Sequence, residues 1–277
     1  MAADRETGTA VVTGASSGIG AEYATQLARR GWDLVLIARR ADRLAAVAER
    51  LGDGIAVTTM VADLAHEADL VRVTERVAQD DVTLLVNNAG INGYGPFAAA
   101  DPGLLTKVID VNVVAPTVLA HAALPHMTAR GRGAVINVAS LLAFAGSLPP
   151  VPLPHRAVYA GTKGYMVTFT RTLAAEVATT PVRVQVVCPG LTATEFHLSA
   201  GHTPVSGQER VHDEGGMPPA DVVSASLSAL DAGEVVCVPG LRDADAVTRL
   251  AAAERALRDG SDIVLAPRYR SATTHES

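Results

Sequence analysis

The fold is decided by the stretch Thr9-Ala-Val-Val-Thr-Gly-Ala-Ser-Ser-Gly-Ile-Gly20. A short β-branched run, Thr9–Thr13, leads into three glycines spaced G-x-x-x-G-x-G, and a segment with helical spacing follows. Glycine permits a tight turn from strand to helix and lets backbone N–H groups approach a phosphate at the positive end of that helix. The stretch therefore predicts a dinucleotide-phosphate loop, with the candidate binding residues Gly14, Ser16, Ser17, Gly18, Ile19 and Gly20.

The rest of the chain continues this alternation of strand and helix. The other strand candidates are apolar on successive residues, as in a parallel sheet covered on both faces; they are Asp33–Ala38, Ile55–Val61, Leu84–Asn87, Ala134–Ala139, Val182–Cys188 and Val235–Val238. Helical spacing separates them over Gly20–Arg30, Ala41–Leu51, Glu67–Gln79, Pro102–Met127, Ala157–Thr179 and Ala220–Ala232. We predict an α/β fold: a doubly wound, mostly parallel seven-stranded sheet with helices on both faces.

The length suits one domain over residues 1–277, with a core at about 7–240, a substrate loop at about 190–219 and a C-terminal extension over 241–277. Two stretches interrupt the regular pattern. Leu148–His155 contains too many prolines for a helix or a central strand. Ser199–Pro219 is rich in glycine and proline and is typical of a loop.

Charge and composition exclude several classes of protein. The formal net charge is -6 and the pI about 5.7, which disfavours a nucleic-acid binder. Two cysteines in apolar runs do not make a disulfide scaffold, and no His/Cys cluster has metal-site spacing, so we expect no metal. The N-terminus lacks an apolar signal core, and polar residues interrupt the longest apolar stretch, Val108–Leu124. We therefore expect a cytoplasmic protein with neither membrane nor nucleic-acid partners.

The end of the second predicted strand indicates the type of dinucleotide. In NAD-binding folds an Asp or Glu at this place holds the ribose 2′-hydroxyl. Here Arg39 and Arg40 stand there instead, and a guanidinium binds a 2′-phosphate bidentately. We expect NADP(H), with Arg39 on the phosphate and Arg40 on the adenine face or the phosphate.

A tyrosine and a lysine four residues apart, Tyr159 and Lys163, share one face of a predicted helix. A phenol with a pKa near about 10 is a poor acid–base catalyst at neutral pH. An adjacent ammonium stabilises the phenolate and lowers that pKa, so the pair is a candidate for proton transfer.

With its other motifs, the sequence resembles the short-chain dehydrogenase/reductase family over about residues 7–240. Beyond the glycine loop, the resemblance rests on Asp63-Leu64, Asn87-Asn-Ala-Gly90, Asn112, Ser140, Tyr159-x-x-x-Lys163 and Pro189-Gly190, all in the family's order. It implies a Rossmann-type fold and hydride transfer between a nicotinamide and a carbonyl or alcohol. The family more often reduces than oxidises when NADP(H) is the cofactor.

The resemblance also implies roles at the matching positions. Tyr159 would be the general acid in reduction and the base in oxidation, while Lys163 would lower its pKa and hydrogen-bond the nicotinamide ribose. Ser140 would orient the substrate oxygen, and Asn112 would hold a water that links Lys163 to solvent. The others would bind the cofactor: Asp63 with Leu64 at the adenine, Asn88, Ala89 and Gly90 beside the adenine ribose, and Pro189, Gly190, Thr192 and Thr194 over the nicotinamide and phosphates.

The sequence departs from the family between Ser140 and Tyr159, which are 19 positions apart and so farther than usual. The additional residues fall in the proline-rich run Leu148–His155. Either this insertion extends the substrate rim and leaves Ser140 in place, or it displaces Ser140. His155 is either a solvated loop residue or a substrate contact.

Candidate substrate-pocket residues are mostly apolar, which favours a hydrophobic ketone, aldehyde or alcohol; they are Tyr94, Leu141, Leu142, Phe144, Leu191 and Phe196. Leu141 and Phe196 are equally explained as core residues. The resemblance further implies a homodimer or homotetramer. Three alternatives remain: an NAD-linked alcohol dehydrogenase, a non-catalytic nucleotide-sensing protein on the same fold, and a lyase or epimerase that uses the dinucleotide without net turnover.

Overall fold

The structure, a computed structural model, describes residues 8–149, 153, 155–198, 216–243 and 245–269. Residues 199–215 of the predicted loop, and 150–152 and 154 of the proline-rich run, lie outside the described residues. The chain divides into one compact unit up to Gly240 and a second from Leu241.

The first unit is built on a parallel sheet of seven strands. These are β1 (Thr9–Thr13), β2 (Asp33–Ala38), β3 (Val57–Val61), β4 (Val82–Asn87), β5 (Ala134–Val138), β6 (Arg183–Val187) and β7 (Val236–Cys237). Their order is β3-β2-β1-β4-β5-β6-β7, and every pairing is parallel. The predicted doubly wound α/β fold is confirmed.

Helices cover both faces of this sheet. They are α1 (Gly18–Arg29), α2 (Ala41–Arg50), α3 (Glu67–Val77), α4 (Pro102–Ile109), α5 (Ala115–Arg130), α6 (Ala157–Glu176) and α7 (Pro219–Asp231). Apolar side chains of the central strands β1, β4 and β5 are fully buried, whereas the edge strand β3 is largely exposed. Separate apolar cores form on the two faces, as alternation of side chains along each strand requires.

The sheet places its candidate site residues at one edge. Because all seven strands are parallel, their carboxyl ends meet there, and the strand order reverses between β1 and β4. Ligands in open α/β sheets bind at such a reversal. The glycine loop after β1, Arg39 after β2, Asn88 after β4 and Ser140 after β5 are therefore brought to one cleft.

The helix predicted over Pro102–Met127 is interrupted, since α4 and α5 are joined by a π-helical turn, Asp110–Val114. Pro116 has no N–H to donate to the carbonyl of Asn112, and the wider turn accommodates this loss. The stretch Pro102–Arg130 is long and apolar enough to cross a membrane, judged by length and composition alone. In the fold, Leu119, Ala123 and Met127 of this stretch are buried in the core beside the sheet.

The second unit contains a helix that we did not predict, α8 (Ala246–Asp259). Its large apolar residues are exposed, with Leu250 at 37% and Leu257 at 79%. It lies beyond the residues that carry the family resemblance, where the sequence analysis assigned no element.

Candidate active site

The glycine loop makes a close turn that larger residues could not make. Gly14 and Gly18 have φ angles of 67° and 54°, in the left-handed region that favours glycine. A Cβ atom on Gly20 would lie 2.3 Å from the carbonyl oxygen of Gly14. The loop thus exposes backbone at the N-terminus of α1, as a phosphate-binding turn requires.

Thr13 and Asn88 fasten this loop to the end of β4. The Thr13 hydroxyl oxygen accepts hydrogen bonds from the backbone N–H groups of Asn88 and Ala89, both at 3.0 Å. The Asn88 side-chain amide donates to the Thr13 carbonyl at 2.9 Å and to the Gly14 carbonyl at 3.3 Å. Asn88 therefore shapes the loop directly, whereas Ala89 and Gly90 line the cavity beside it. Nothing in the sequence pattern indicated that Thr13 would anchor the loop.

The two arginines after β2 diverge. Arg40 donates to the Ser17 hydroxyl at 2.9 Å and to the Ser16 hydroxyl at 3.2 Å, so it lies against the glycine loop. Arg39 turns toward Asp63, with its Nη1 4.0 Å from a carboxylate oxygen. Both arginines thus lie where a phosphate could reach them, and the preference for Arg39 stays a prediction.

Asp63, which was predicted to contact the adenine, is engaged with protein groups beside Arg39. Its carboxylate accepts from Lys107 Nζ at 3.0 Å and from the Ala65 N–H at 3.2 Å. Burial alone would raise the pKa of this carboxyl, but these hydrogen bonds and the nearby cations outweigh it and lower the pKa. Asp63 and Leu64 both line the cavity.

Tyr159 and Lys163 occupy the other end of the cleft on α6. Tyr159 is hydrogen-bonded to the Ser140 side chain, so the insertion leaves Ser140 beside Tyr159. Lys163 is 4% exposed; its Nζ donates to the Val138 carbonyl at 2.8 Å and lies 5.7 Å from the centre of the Tyr159 ring. The three side chains lie together where β5 and α6 meet.

The expected pKa shift of Tyr159 is wrong in direction. Burial raises the pKa of the Tyr159 phenol above its ordinary value of 10.0, and the hydrogen bond from Ser140 opposes this shift only in part. Lys163 is itself desolvated, and burial lowers its pKa from 10.5 to about 8. Because both groups are removed from water, both favour their uncharged forms.

Asn112 lies in the π-helical turn and is 1% exposed. Its Oδ1 accepts from the Ile91 N–H at 2.9 Å, and its Nδ2 donates to the Ile91 carbonyl at 2.9 Å and to the Thr162 hydroxyl at 3.1 Å. Both amide donors are thus used to join α6 to the segment after β4. A water could still bind to the second lone pair of Oδ1.

The segment after β6 closes one side of the cleft. The Pro189 carbonyl accepts from the Leu141 N–H at 2.8 Å, which joins this segment to the turn after Ser140. The Thr192 hydroxyl donates to the Gly190 carbonyl at 3.1 Å. A Cβ on Gly18 would lie 2.9 Å from the Thr194 methyl group, so Thr194 packs on the glycine loop.

One cavity of about 950 Å³ joins the glycine loop, Arg39, Arg40 and Asp63 to Ser140, Tyr159 and Lys163. Thr13, Gly20 and Asn112 support its wall but do not line it. Its lining includes the six residues predicted for the substrate pocket, most of them apolar: Tyr94, Leu141, Leu142, Phe144, Leu191 and Phe196. Leu141 is 47% exposed, so the interpretation of Leu141 as a core residue is wrong. The Tyr94 and Phe196 rings lie 5.3 Å and 5.8 Å from the Tyr159 ring and shield it from water.

Three charged residues that the sequence did not indicate lie in or beside this cleft. Arg156 is buried and donates to the carbonyls of Ala145 at 2.6 Å and Leu148 at 2.9 Å, which fixes the first part of the insertion. Arg43 and Glu195 form an ion pair at the cavity mouth. Arg43 lies about one helical turn after Arg39 and Arg40, a spacing that could have identified it. His155, by contrast, is exposed.

The described residues include no group of three or more His, Cys, Asp or Glu side chains that could hold a metal ion. The residues do fit a dinucleotide. The cleft runs from exposed loop backbone, with hydroxyl and guanidinium donors, to a buried phenol and amine, which matches a molecule with phosphates at one end and a reactive ring at the other.

Comparison with known proteins agrees with this geometry. A family model described as short chain dehydrogenase matches residues 8–204. An uncharacterized oxidoreductase of Staphylococcus saprophyticus is 32% identical over 225 residues, covering 80% of this chain and 90% of that protein. The chain spans only 56–59% of the length of several other curated relatives.

Two solved structures share the fold closely. A short-chain dehydrogenase from Sphingobium yanoikuyae in complex with NADPH is 35% identical, with a TM-score of 0.86, covering 95% of this chain and 100% of that one. A bulky-bulky ketone specific alcohol dehydrogenase from Comamonas testosteroni is 30% identical, with a TM-score of 0.83, covering 95% and 98%.

Proposed function

The chain belongs to the short-chain dehydrogenase/reductase family, and from this premise we propose that it is an NADP(H)-dependent reductase of apolar ketones or aldehydes. The main support is the buried Tyr159 phenol, which is hydrogen-bonded to Ser140 and lies close to Lys163. This phenol lies at the apolar end of a cavity whose other end is lined by Arg39 and Arg40. The similar short-chain dehydrogenase in complex with NADPH and the similar ketone-specific alcohol dehydrogenase support the same reaction class.

The cofactor would be held along the cleft by groups already arranged for it. Backbone N–H groups of the loop from Gly14 to Gly20 would bind the pyrophosphate, and Asp63 and Leu64 would lie at the adenine. Arg39 and Arg40 would hold the 2′-phosphate, with Ser16 beside Arg40. When bound, the nicotinamide supplies the hydride for reduction or accepts it in oxidation.

Tyr159 would transfer the proton. The buried phenol carries its proton at neutral pH, as a general acid for reduction must. The proton leaves Tyr159 Oη for the substrate oxygen, which Ser140 orients with a second hydrogen bond. Lys163 would hydrogen-bond the nicotinamide ribose, and a water at Asn112 would return the proton from solvent.

Substrate recognition would come from the apolar wall. Leu141, Phe144 and Leu191 are each at least 38% exposed although they line the cavity. A ketone with an apolar group on either side of its carbonyl would cover these side chains and gain the free energy of removing them from water.

We also propose that the chain forms a homodimer or homotetramer through α5 and α6. These helices are joined by a hydrogen bond of 2.9 Å between Thr117 and Tyr165 hydroxyls, and the 38%-exposed Tyr165 ring stacks on Phe169 at 5.5 Å. A mass above 28.6 kDa by light scattering is expected.

The decisive experiment follows NADPH and NADH absorbance with a panel of aldehydes, ketones and diketones, using wild type and Tyr159→Phe. We expect NADPH consumption by wild type and a loss of kcat of at least about 10²-fold in Tyr159→Phe, with NADPH binding retained. A preference for NADH would favour the NAD-linked alternative. Cofactor binding without turnover on any substrate would favour a nucleotide-sensing protein.

A further inference from the structure

An ion pair that the sequence did not predict bridges the mouth of the cofactor cleft. Glu195 begins the 3-10 turn Glu195–Leu198 after β6, whereas Arg40 and Arg43 lie at the start of α2. The Glu195 carboxylate pairs with the Arg43 guanidinium and lies 3.6 Å from Arg40 Nη1. All three side chains line the cavity.

The same Arg40 guanidinium occupies the end of the cleft where a 2′-phosphate would bind. Its Nη2 donates to the Ser16 and Ser17 hydroxyls at the glycine loop, while its Nη1 faces Glu195. A phosphate that reached Arg40 and Arg43 would therefore meet a carboxylate already bound to them. These cations also hold the pKa of Glu195 below its usual range, so the carboxylate is charged at neutral pH.

We infer that Glu195 sets the strength of cofactor discrimination, because its carboxylate competes with the 2′-phosphate for Arg40 and Arg43. The inference rests on the proposed use of NADP(H). A 2′-hydroxyl does not need an ion pair with these guanidinium groups. The competition therefore weakens the binding of NADP(H) and leaves the binding of NAD(H) nearly unaffected. Glu195 thereby moderates the preference that the arginines create.

Glu195 cannot easily leave its position, because the next residue is held at the catalytic end. The Phe196 carbonyl accepts from the Asn92 side-chain amide at 3.1 Å, and its ring lies 5.8 Å from that of Tyr159. The backbone that carries Glu195 is therefore held beside the arginines.

The expected effect is moderate because the pair is half exposed, with side-chain exposures of 52% for Glu195 and 43% for Arg43. Exposed ion pairs and carboxylate–phosphate repulsion in a high dielectric are each worth little, so removing the charge should tighten 2′-phosphate binding by about three- to tenfold. Salt screens both interactions, so the gain should shrink as ionic strength rises.

The test is calorimetric and needs no turnover. Adenosine 2′,5′-bisphosphate and 5′-AMP are titrated into wild type, Glu195→Gln and the matched control Glu49→Gln, which removes an equal charge from an exposed position on α2. We expect Glu195→Gln alone to bind the bisphosphate more tightly, with 5′-AMP affinity unchanged. In an Arg43→Met background the gain from Glu195→Gln should be smaller.

Unchanged or weaker bisphosphate binding by Glu195→Gln would overturn the inference and would mean that Glu195 merely orients the arginines. An equal gain in Glu49→Gln would also overturn it, since only net charge would then matter. If wild type does not bind the bisphosphate more tightly than 5′-AMP, the proposed preference for NADP(H) fails as well. This outcome is seen in wild type alone and so differs from the first two, which depend on the variants.

Discussion

Lys163 gives the sharpest test of the electrostatics at the catalytic end. Burial lowers its pKa from 10.5 to about 8, so the unfolded chain binds more protons than the folded chain between these two values. The free energy of unfolding must therefore rise as pH rises through this window. The gain is lost again as pH falls toward the pKa of Lys163 in the folded state. Each unit of pKa shift corresponds to about 1.4 kcal/mol.

These values fix the size of the effect. Between about pH 7.5 and about pH 9.5, titration of Lys163 should raise the free energy of unfolding of wild type by about 2 kcal/mol relative to a variant that lacks the amine. Lys163→Met supplies that variant, because methionine fills a similar space without a titratable group. All other titrations are shared by the two proteins and cancel in the difference.

The assay is urea unfolding of wild type and Lys163→Met at both pH values. The chain has only one other lysine, Lys107, so Lys107→Met is the matched control. Selective 15N-lysine labelling would give two side-chain signals, and the Lys163 signal should titrate near pH 8. Parallel stability curves for wild type and Lys163→Met would refute the reasoning, because Lys163 would then remain an ammonium paired with an anionic partner.

Two further substitutions test the cofactor end. A methyl group at Gly20 would lie 2.3 Å from the Gly14 carbonyl oxygen, whereas one at Gly161 on α6 would meet nothing within 4 Å. Gly20→Ala should therefore lose about 1–3 kcal/mol of stability and bind NADPH more weakly in a fluorescence titration. Gly161→Ala should show neither effect. Equal effects of the two variants would contradict the close approach of Gly20 to the Gly14 carbonyl. Arg39→Asp should weaken NADPH but not NADH in the same titration, and unchanged affinities for both would remove Arg39 from the phosphate site.

The fold was predictable because its signals are local. The turn Gly14–Gly20 and the buried strands each lie within a few residues of sequence, and parallel topology then brings their carboxyl ends together. Asn88 and Ser140 follow β4 and β5 directly, so their approach to the glycine loop and to Tyr159 comes from this topology. Here a correct element assignment already implies much of the site.

Other features were not predictable because they depend on tertiary surroundings. The direction of the Tyr159 pKa shift is set by burial beneath Tyr94 and Phe196, which no spacing of residues reveals. The Arg43–Glu195 ion pair joins residues 152 positions apart. The π-helical turn is an intermediate case, since Pro116 signals a break in the helical hydrogen bonds but does not say how the backbone accommodates it.

The two ends of the cleft differ in charge, and from this difference we expect reduction to be the easier direction near neutral pH. The phosphate end is exposed and carries Arg39, Arg40 and Arg43, which suit an anion. At the catalytic end Tyr159 keeps its proton, and the lowered pKa of Lys163 reduces the fraction of ammonium as pH approaches about 8. Lys163 then adds less positive charge beside the nicotinamide site, where the oxidised ring would itself be positively charged. Oxidation would instead have to remove a proton from a phenol whose pKa burial has raised, so we expect oxidation to require higher pH than reduction.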